Sequence, residues 1–144
     1  MRKIIVLLVM IAALVSNIGV SSASQDWRWE RCKFKNLDSK PSWSTREIAR
    51  TIECMVDQFP VPGGVSKALD VGRCESGLDA YEYGNPPYMG VYQFHPSTWS
   101  SAYDHHRNFL DRWGVKNSPF NGRSNVLLAI KMVHSGGWGP WSCA

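Results

Sequence analysis

Four cysteines constrain the fold of this 144-residue chain more than any other feature: Cys32, Cys54, Cys74 and Cys143. They form no Cys-x-x-Cys pair and the histidines add no zinc-type spacing, so we expect no metal and no cofactor. An even number favours two disulfides, and three pairings are possible. We favour Cys32–Cys54 with Cys74–Cys143. The second spans 69 positions in sequence and would contribute about 4 kcal/mol in the chain-entropy model.

The first 23 residues are typical of a secretory signal peptide. Arg2 and Lys3 precede an apolar run over 4–15, and small residues lead to a cleavage point after Ala23. The alternative is an uncleaved membrane anchor, but the run is shorter than the ~20 residues that span a bilayer. Cleavage leaves 121 of the 144 residues. We therefore predict a secreted protein, extracellular or associated with the cell wall, with no membrane contact after cleavage.

The pattern that follows predicts one small, mainly helical domain. Residues 24–45 resemble an irregular arm, and 46–144 form the domain, without repeats or a linker. Ser44 and Glu47 have capping-box spacing at the start of a helix that stops before the Pro- and Gly-rich segment 60–64. A second helix is predicted from Val65 to about Cys74, closed by Gly77 in the left-handed conformation.

The rest of the chain predicts two more helices. Residues 78–95 look like loop or extended structure. Ser97 is the predicted N-cap of a third helix, whose apolar spacing continues to Trp113. Ser124 or Asn125 would cap a fourth helix over 126–133, which is apolar almost all round, as expected at the centre of a domain. The tail over 136–143 is too rich in glycine and proline to be helical.

Glu75 is a candidate acid at the end of the second helix. Glycosidic bond cleavage needs a carboxylic acid that is still protonated at working pH, and low-dielectric surroundings favour that form. Glu75 lies beside a cysteine and ahead of aromatic loops. On residue type alone, however, a glutamate at a helix end is more often a solvated surface charge.

The segment 88–94 is a candidate sugar-binding loop. Its glycine and its alternation of apolar and polar residues suit a short strand or tight turn that presents Gln93 to a cleft. A glutamine both donates to and accepts from sugar hydroxyls or an N-acetyl group. Aromatic rings suit the apolar faces of sugars, and four tyrosines cluster nearby: Tyr81, Tyr83, Tyr88 and Tyr92. The alternative for such rings is plain packing, which we expect for Trp99.

Three short motifs, taken in order, resemble those of a known family. They are Cys-Glu-Ser-Gly at 74–77, Gly-Val-Tyr-Gln-Phe at 90–94 and Pro-Ser-Thr-Trp at 96–99. The combination resembles the soluble lytic transglycosylase and resuscitation-promoting-factor domains of the lysozyme-like superfamily. The tail at 137–143 looks like that of actinobacterial and phage members. The resemblance covers about residues 46–143.

The resemblance implies a lysozyme-like α+β fold, mainly helical, with a substrate cleft. By position, Glu75 matches the family's sole catalytic acid/base. Gln93 matches the glutamine next to the scissile bond, and Thr98 matches a threonine of the cleft. The family disulfide also supports Cys74–Cys143. To these we add Tyr88 and Trp138 as expected substrate contacts.

One family feature is missing. Many relatives carry a late Ala-Tyr-Asn-x-Gly segment whose tyrosine approaches the catalytic glutamate, and residues 136–141 occupy that part of this chain instead. The loop over 78–89 is also particular to this sequence. These departures bear on how the glutamate is positioned and on the subsite contacts.

The expected activity is cleavage of peptidoglycan glycan strands between N-acetylmuramic acid and N-acetylglucosamine, giving 1,6-anhydro products. One carboxylate suffices for this route, whereas hydrolysis ordinarily uses two. Asp79, Glu82 and Asp104 are candidates for a second acid, and their spacing singles out none of them. The alternatives are a lysozyme-type hydrolase and a non-catalytic wall-binding or signalling module. With no phosphate loop or basic patch, we expect no nucleic-acid partner, and we expect a monomer.

Overall fold

The computed structural model describes residue 32, residues 42–85 and residues 87–144. This part of the chain forms a small, mainly helical domain. Its elements are α1 Thr45–Gln58, α2 Gly64–Ser76, β1 Tyr83–Gly84, β2 Tyr88–Met89, α3 Pro96–His105, α4 Arg107–Arg112 and α5 Gly122–Gly136. The predicted signal peptide and the predicted arm up to residue 41, apart from Cys32, lie outside the described residues. Within the described ranges, no helix is long and apolar enough to cross a membrane.

The start of α1 confirms the predicted capping box. The Ser44 hydroxyl accepts the backbone N–H of Glu47 at 3.3 Å, and the Glu47 carboxylate accepts the backbone N–H of Ser44 at 2.9 Å. Two donors that a helix start leaves unpaired are thereby satisfied. The stripe formed by Ile48, Ile52 and Met55 is fully buried. It packs α1 against both α2 and α5.

The end of α2 is also as predicted. Gly77 adopts φ 67° and donates its N–H to the carbonyl oxygen of Arg73 at 2.8 Å. Glycine reaches this left-handed conformation without a steric penalty. The chain therefore turns sharply after Ser76 and leaves Glu75 on the last turn of the helix.

The predicted third helix is corrected in two ways. His95, not Ser97, is the N-cap, with its Nδ1 accepting the backbone N–H of Ser97. Pro96 takes the first helical position, where a missing N–H costs nothing. The helix also divides into α3 and α4 at His106, whose φ of −101° and ψ of 10° depart from helical values. An apolar periodicity continues across such a bend because each part keeps its own buried face.

The fourth predicted helix, α5, begins about one turn earlier than expected, at Gly122 instead of residue 126. Asn121 is the N-cap, and its side-chain oxygen accepts the backbone N–H of Ser124 at 3.0 Å. Ser124 and Asn125 were expected to cap because they are polar, but both lie buried inside α5. α5 is buried over its first nine residues, as predicted for a central helix.

Both favoured disulfides are confirmed. The Cα atoms of Cys32 and Cys54 are 5.7 Å apart, and those of Cys74 and Cys143 are 5.9 Å apart. The first bridge joins residue 32 to α1. The second fastens the C-terminal tail to the last turn of α2, next to Glu75.

Candidate active site

A depression of about 380 Å³ opens where the end of α2, the segment after β2, the start of α3 and the tail meet. We call it the glutamate depression. It brings together four of the predicted site residues: Glu75, Gln93, Thr98 and Tyr88. Its full lining is Glu75, Tyr88, Tyr92, Gln93, Phe94, His95, Thr98, Met132, Pro140, Trp141 and Ser142.

Glu75 is partly buried and is held by the tail. The backbone N–H of Cys143 donates to Oε1 of Glu75 at 3.3 Å. Because this bond occupies Oε1 as an acceptor, a proton on the carboxyl group belongs on Oε2. Among the described residues that line the depression, Glu75 is the sole carboxylic acid.

The segment that carries Gln93 is a tight, strained turn. Met89 and Phe94 exchange two backbone hydrogen bonds of 3.0 Å, so residues 90–93 form the turn between them. Gln93 has φ 46°, a left-handed conformation that non-glycine residues rarely adopt. Such strain persists only where surrounding contacts fix the backbone. Gly90 has φ 72° and approaches the Pro119 carbonyl so closely that a β-carbon would collide with it.

The amide nitrogen of the Gln93 side chain is already hydrogen-bonded within the protein. Its Nε2 donates to the carbonyl oxygens of Gly90 at 2.9 Å and Glu82 at 3.3 Å. Its Oε1 lies beside Gly84, where any larger residue would collide with it. We expected this amide both to donate to a sugar and to accept from it. Because Nε2 already donates to two carbonyl oxygens, Oε1 is the atom suited to bind a sugar, as the acceptor of an incoming N–H.

Asn125 fixes the turn from below. It is fully buried, and its Nδ2 donates to the carbonyl oxygens of Met89 at 3.1 Å and Pro119 at 2.8 Å. Its Oδ1 accepts the backbone N–H of Tyr92 at 2.9 Å. One side chain thus pairs with the buried N–H of Tyr92 and with two part-buried carbonyl oxygens, and so ties the turn to α5. Sequence reasoning missed this role because it assigned Asn125 to a helix cap.

The tail supplies the opposite wall through Trp141. Its Nε1 donates to the carbonyl oxygen of Tyr92 at 2.9 Å, and its ring packs edge-on against Phe94 at 6.0 Å. Tyr92 in turn donates its hydroxyl to the carbonyl oxygen of Ala68 at 2.9 Å, and burial raises the pKa of Tyr92 well above its usual range. Trp141 was not predicted as a site residue. The signal was available, since the Cys74–Cys143 bridge brings the tail to Glu75.

The two remaining predicted contacts differ. Tyr88 is 39% exposed on the rim, with its ring edge-to-face against His95 at 6.0 Å between centroids. Trp138 is only 9% exposed, and its Nε1 donates to the carbonyl oxygen of Pro62 at 2.8 Å. Trp138 is not among the described residues that line the depression. Its ring N–H serves the packing of the tail.

No protein-family model matches the chain, and no curated protein or solved structure matches it either. The resemblance at 74–77, 90–94 and 96–99 is thus one of short segments. Within the described ranges, no three histidine, cysteine or carboxylate side chains converge as metal ligands.

Proposed function

We propose that this protein is a secreted lytic transglycosylase with a lysozyme-like fold that cleaves peptidoglycan glycan strands. One observation carries the proposal. Among its described lining residues the glutamate depression holds a single carboxylic acid, Glu75, and the exposed aromatic ring of Tyr88 lies on its rim. Aromatic faces suit sugar rings, and one carboxyl group that serves first as acid and then as base is sufficient for intramolecular displacement.

The reaction needs two proton transfers at one residue. Oε2 of Glu75 donates its proton to the oxygen that joins N-acetylmuramic acid to N-acetylglucosamine, and the bond from C1 to that oxygen breaks. The Glu75 carboxylate then takes the proton from the muramoyl 6-hydroxyl as O6 bonds to C1. The product is a 1,6-anhydro sugar, and no water is consumed.

The neighbours of Glu75 have matching roles. Oε1 of Gln93 accepts an N–H such as that of an N-acetyl group. The exposed Tyr88 ring offers a stacking face, and the Thr98 hydroxyl offers a hydrogen bond at the rim. In place of the tyrosine motif of the resembled family, the Cys143 N–H orients the carboxyl group. The tail therefore takes over the positioning task.

Hydrolysis is the second candidate chemistry. An inverting or retaining hydrolase ordinarily places a second carboxylate about 5–9.5 Å from the first. Asp79, Glu82 and Asp104 are the candidates, but none of them is among the described residues lining the depression. This favours the route that needs one acid.

The test is digestion of purified peptidoglycan in ¹⁸O-labelled water, followed by mass spectrometry of the products. We expect 1,6-anhydro muropeptides without the label. Reducing ends that carry ¹⁸O would mean lysozyme-type hydrolysis. Binding to the wall without product release would mean a non-catalytic module.

A further inference from the structure

A second depression, of about 490 Å³, adjoins the first. We call it the histidine depression. It shares Thr98 and Met132 with the glutamate depression, so the two lie side by side. Its lining is Ser97, Thr98, Ser101, Ala102, His105, His106 and Met132.

The lining follows one face of α3. Thr98, Ser101 and His105 recur at three- and four-residue intervals, which places them above one another on a helix. From the first to the last of them the face runs about 10 Å. Among the described residues that line it there is no phenylalanine, tyrosine or tryptophan. Hydroxyls and imidazoles suit a polar ligand rather than the apolar face of a sugar ring.

The electrostatics of this depression favour an anion. The rings of His105 and His106 meet edge-to-face with centroids 4.7 Å apart. Burial, followed by the positive charges of His105 and Lys131, lowers the pKa of His106. The nearby Asp104 carboxylate is paired with Arg107. No described lining residue is acidic, so the charges facing His106 are unbalanced and positive.

We propose that the histidine depression binds a carboxylate of the peptide stem carried by the glycan in the glutamate depression. This inference rests on the proposed function. In peptidoglycan the stem branches from the muramoyl sugar, which occupies the adjoining depression during cleavage. Thr98 and Met132 line both depressions, so a branch on the sugar in one lies next to the other. An anion placed here gains a charge-assisted hydrogen bond from a protonated imidazole, and its negative charge opposes the proton loss that burial and the neighbouring positive charges favour at His106.

The first test measures peptide binding to the Glu75→Gln protein, a variant that we expect not to cleave glycan. The probes are an N-acetylated stem tetrapeptide with free carboxylates and the same peptide amidated at every carboxylate. By NMR titration of the histidine rings at pH 5.5, we expect the acidic peptide to bind about tenfold tighter. That preference weakens at pH 8 and disappears in His105→Gln/His106→Gln. Equal binding of both peptides at pH 5.5 would overturn the inference.

The second test separates this inference from the proposed function. Wild type is compared on intact glycan strands and on strands stripped of their stems. We expect a KM several-fold lower on intact strands than on stripped strands. His105→Gln, a change at an exposed residue, should abolish this difference in KM. His134→Gln is the control, because His134 lies outside both depressions, and it should keep the difference. An equal KM on both substrates overturns the stem site alone. If the wild-type protein cleaves neither substrate, the proposed function is overturned. The peptide titration then decides by itself whether the stem site exists.

Discussion

The two depressions share residues but are built differently. The glutamate depression is fixed by contacts between distant parts of the chain: a disulfide to the tail, the Asn125 side chain under the turn and the Trp141 bond to Tyr92. The histidine depression consists mainly of one face of α3, with exposed residues such as Ser101 and His105. A proton-transfer site needs its groups held within fractions of an ångström, whereas a site for a flexible peptide does not.

Removing each disulfide tests this difference most strongly. By chain entropy, Cys74→Ala/Cys143→Ala costs about 4 kcal/mol and Cys32→Ala/Cys54→Ala about 3 kcal/mol. The two double variants therefore differ little in denaturant midpoint. Their activities differ far more, because only the first frees the tail that holds Glu75. We expect the first to lose most glycan cleavage at a temperature where both remain folded. Equal residual activity would contradict the positioning role of the tail.

The next effect is that of Asn125→Ala. The substitution removes the partner of the buried Tyr92 N–H and of the Pro119 carbonyl oxygen, whereas the Met89 carbonyl oxygen keeps the N–H of Phe94. We expect a cost of about 3 kcal/mol. Because the strained Gln93 turn depends on these bonds, cleavage should fall more than tenfold, while binding of the stem peptide to the histidine depression is retained. The measurements are denaturant unfolding and the two assays together.

Asn108→Ala is the matched control, since Asn108 is exposed on α4. It should stay within about 0.5 kcal/mol of wild type. An Asn125→Ala protein with wild-type activity would show that the Gln93 turn does not need the hydrogen bonds of Asn125.

A smaller effect is expected from alkaline pH. Burial raises the pKa of Tyr92, so the unfolded chain releases this proton near pH 10 while the folded chain keeps it. The unfolded state then binds fewer protons, and stability falls by up to about 1.4 kcal/mol per pH unit above pH 10. Burial and the nearby Asp111 also raise the pKa of Tyr103, which adds to the loss. Urea unfolding between pH 9 and 11 measures the slope.

Tyr92→Phe should reduce that slope without abolishing it, because Tyr103 remains. An unchanged slope would mean that Tyr92 ionises as easily in the folded domain as in the unfolded chain. That result would contradict the burial of the Tyr92 hydroxyl behind the glutamate depression.

The sequence was most informative where local chemistry decides the structure. The Ser44–Glu47 capping box and the Gly77 helix end involve groups within a few residues of each other, and both were predicted. The disulfides and the meeting of Glu75 with Gln93 were also anticipated, although partly through the resemblance to a known family. Short-range patterns and the cysteines therefore placed the main features of the site.

Residues whose partners lie far away in sequence were missed. Asn125 looks like a helix cap until the fold brings Met89 and Tyr92, more than 30 positions earlier in sequence, within hydrogen-bonding distance of it. Likewise, the bend at His106 breaks no apolar periodicity. A polar residue in a buried helix can be understood only together with the groups that it satisfies.

The proposed function depends most on the carboxyl group of Glu75. Its direct test compares the initial rates of muropeptide release by wild type, Glu75→Gln and Glu82→Gln. Glu82 is exposed in the loop just beyond Glu75, and its change is chemically identical. We expect Glu75→Gln to lower the rate about 10³-fold or more with an unchanged Tm, and Glu82→Gln to stay within about twofold of wild type. A folded Glu75→Gln protein that releases muropeptides at the wild-type rate would contradict the assignment of Glu75 as the acid.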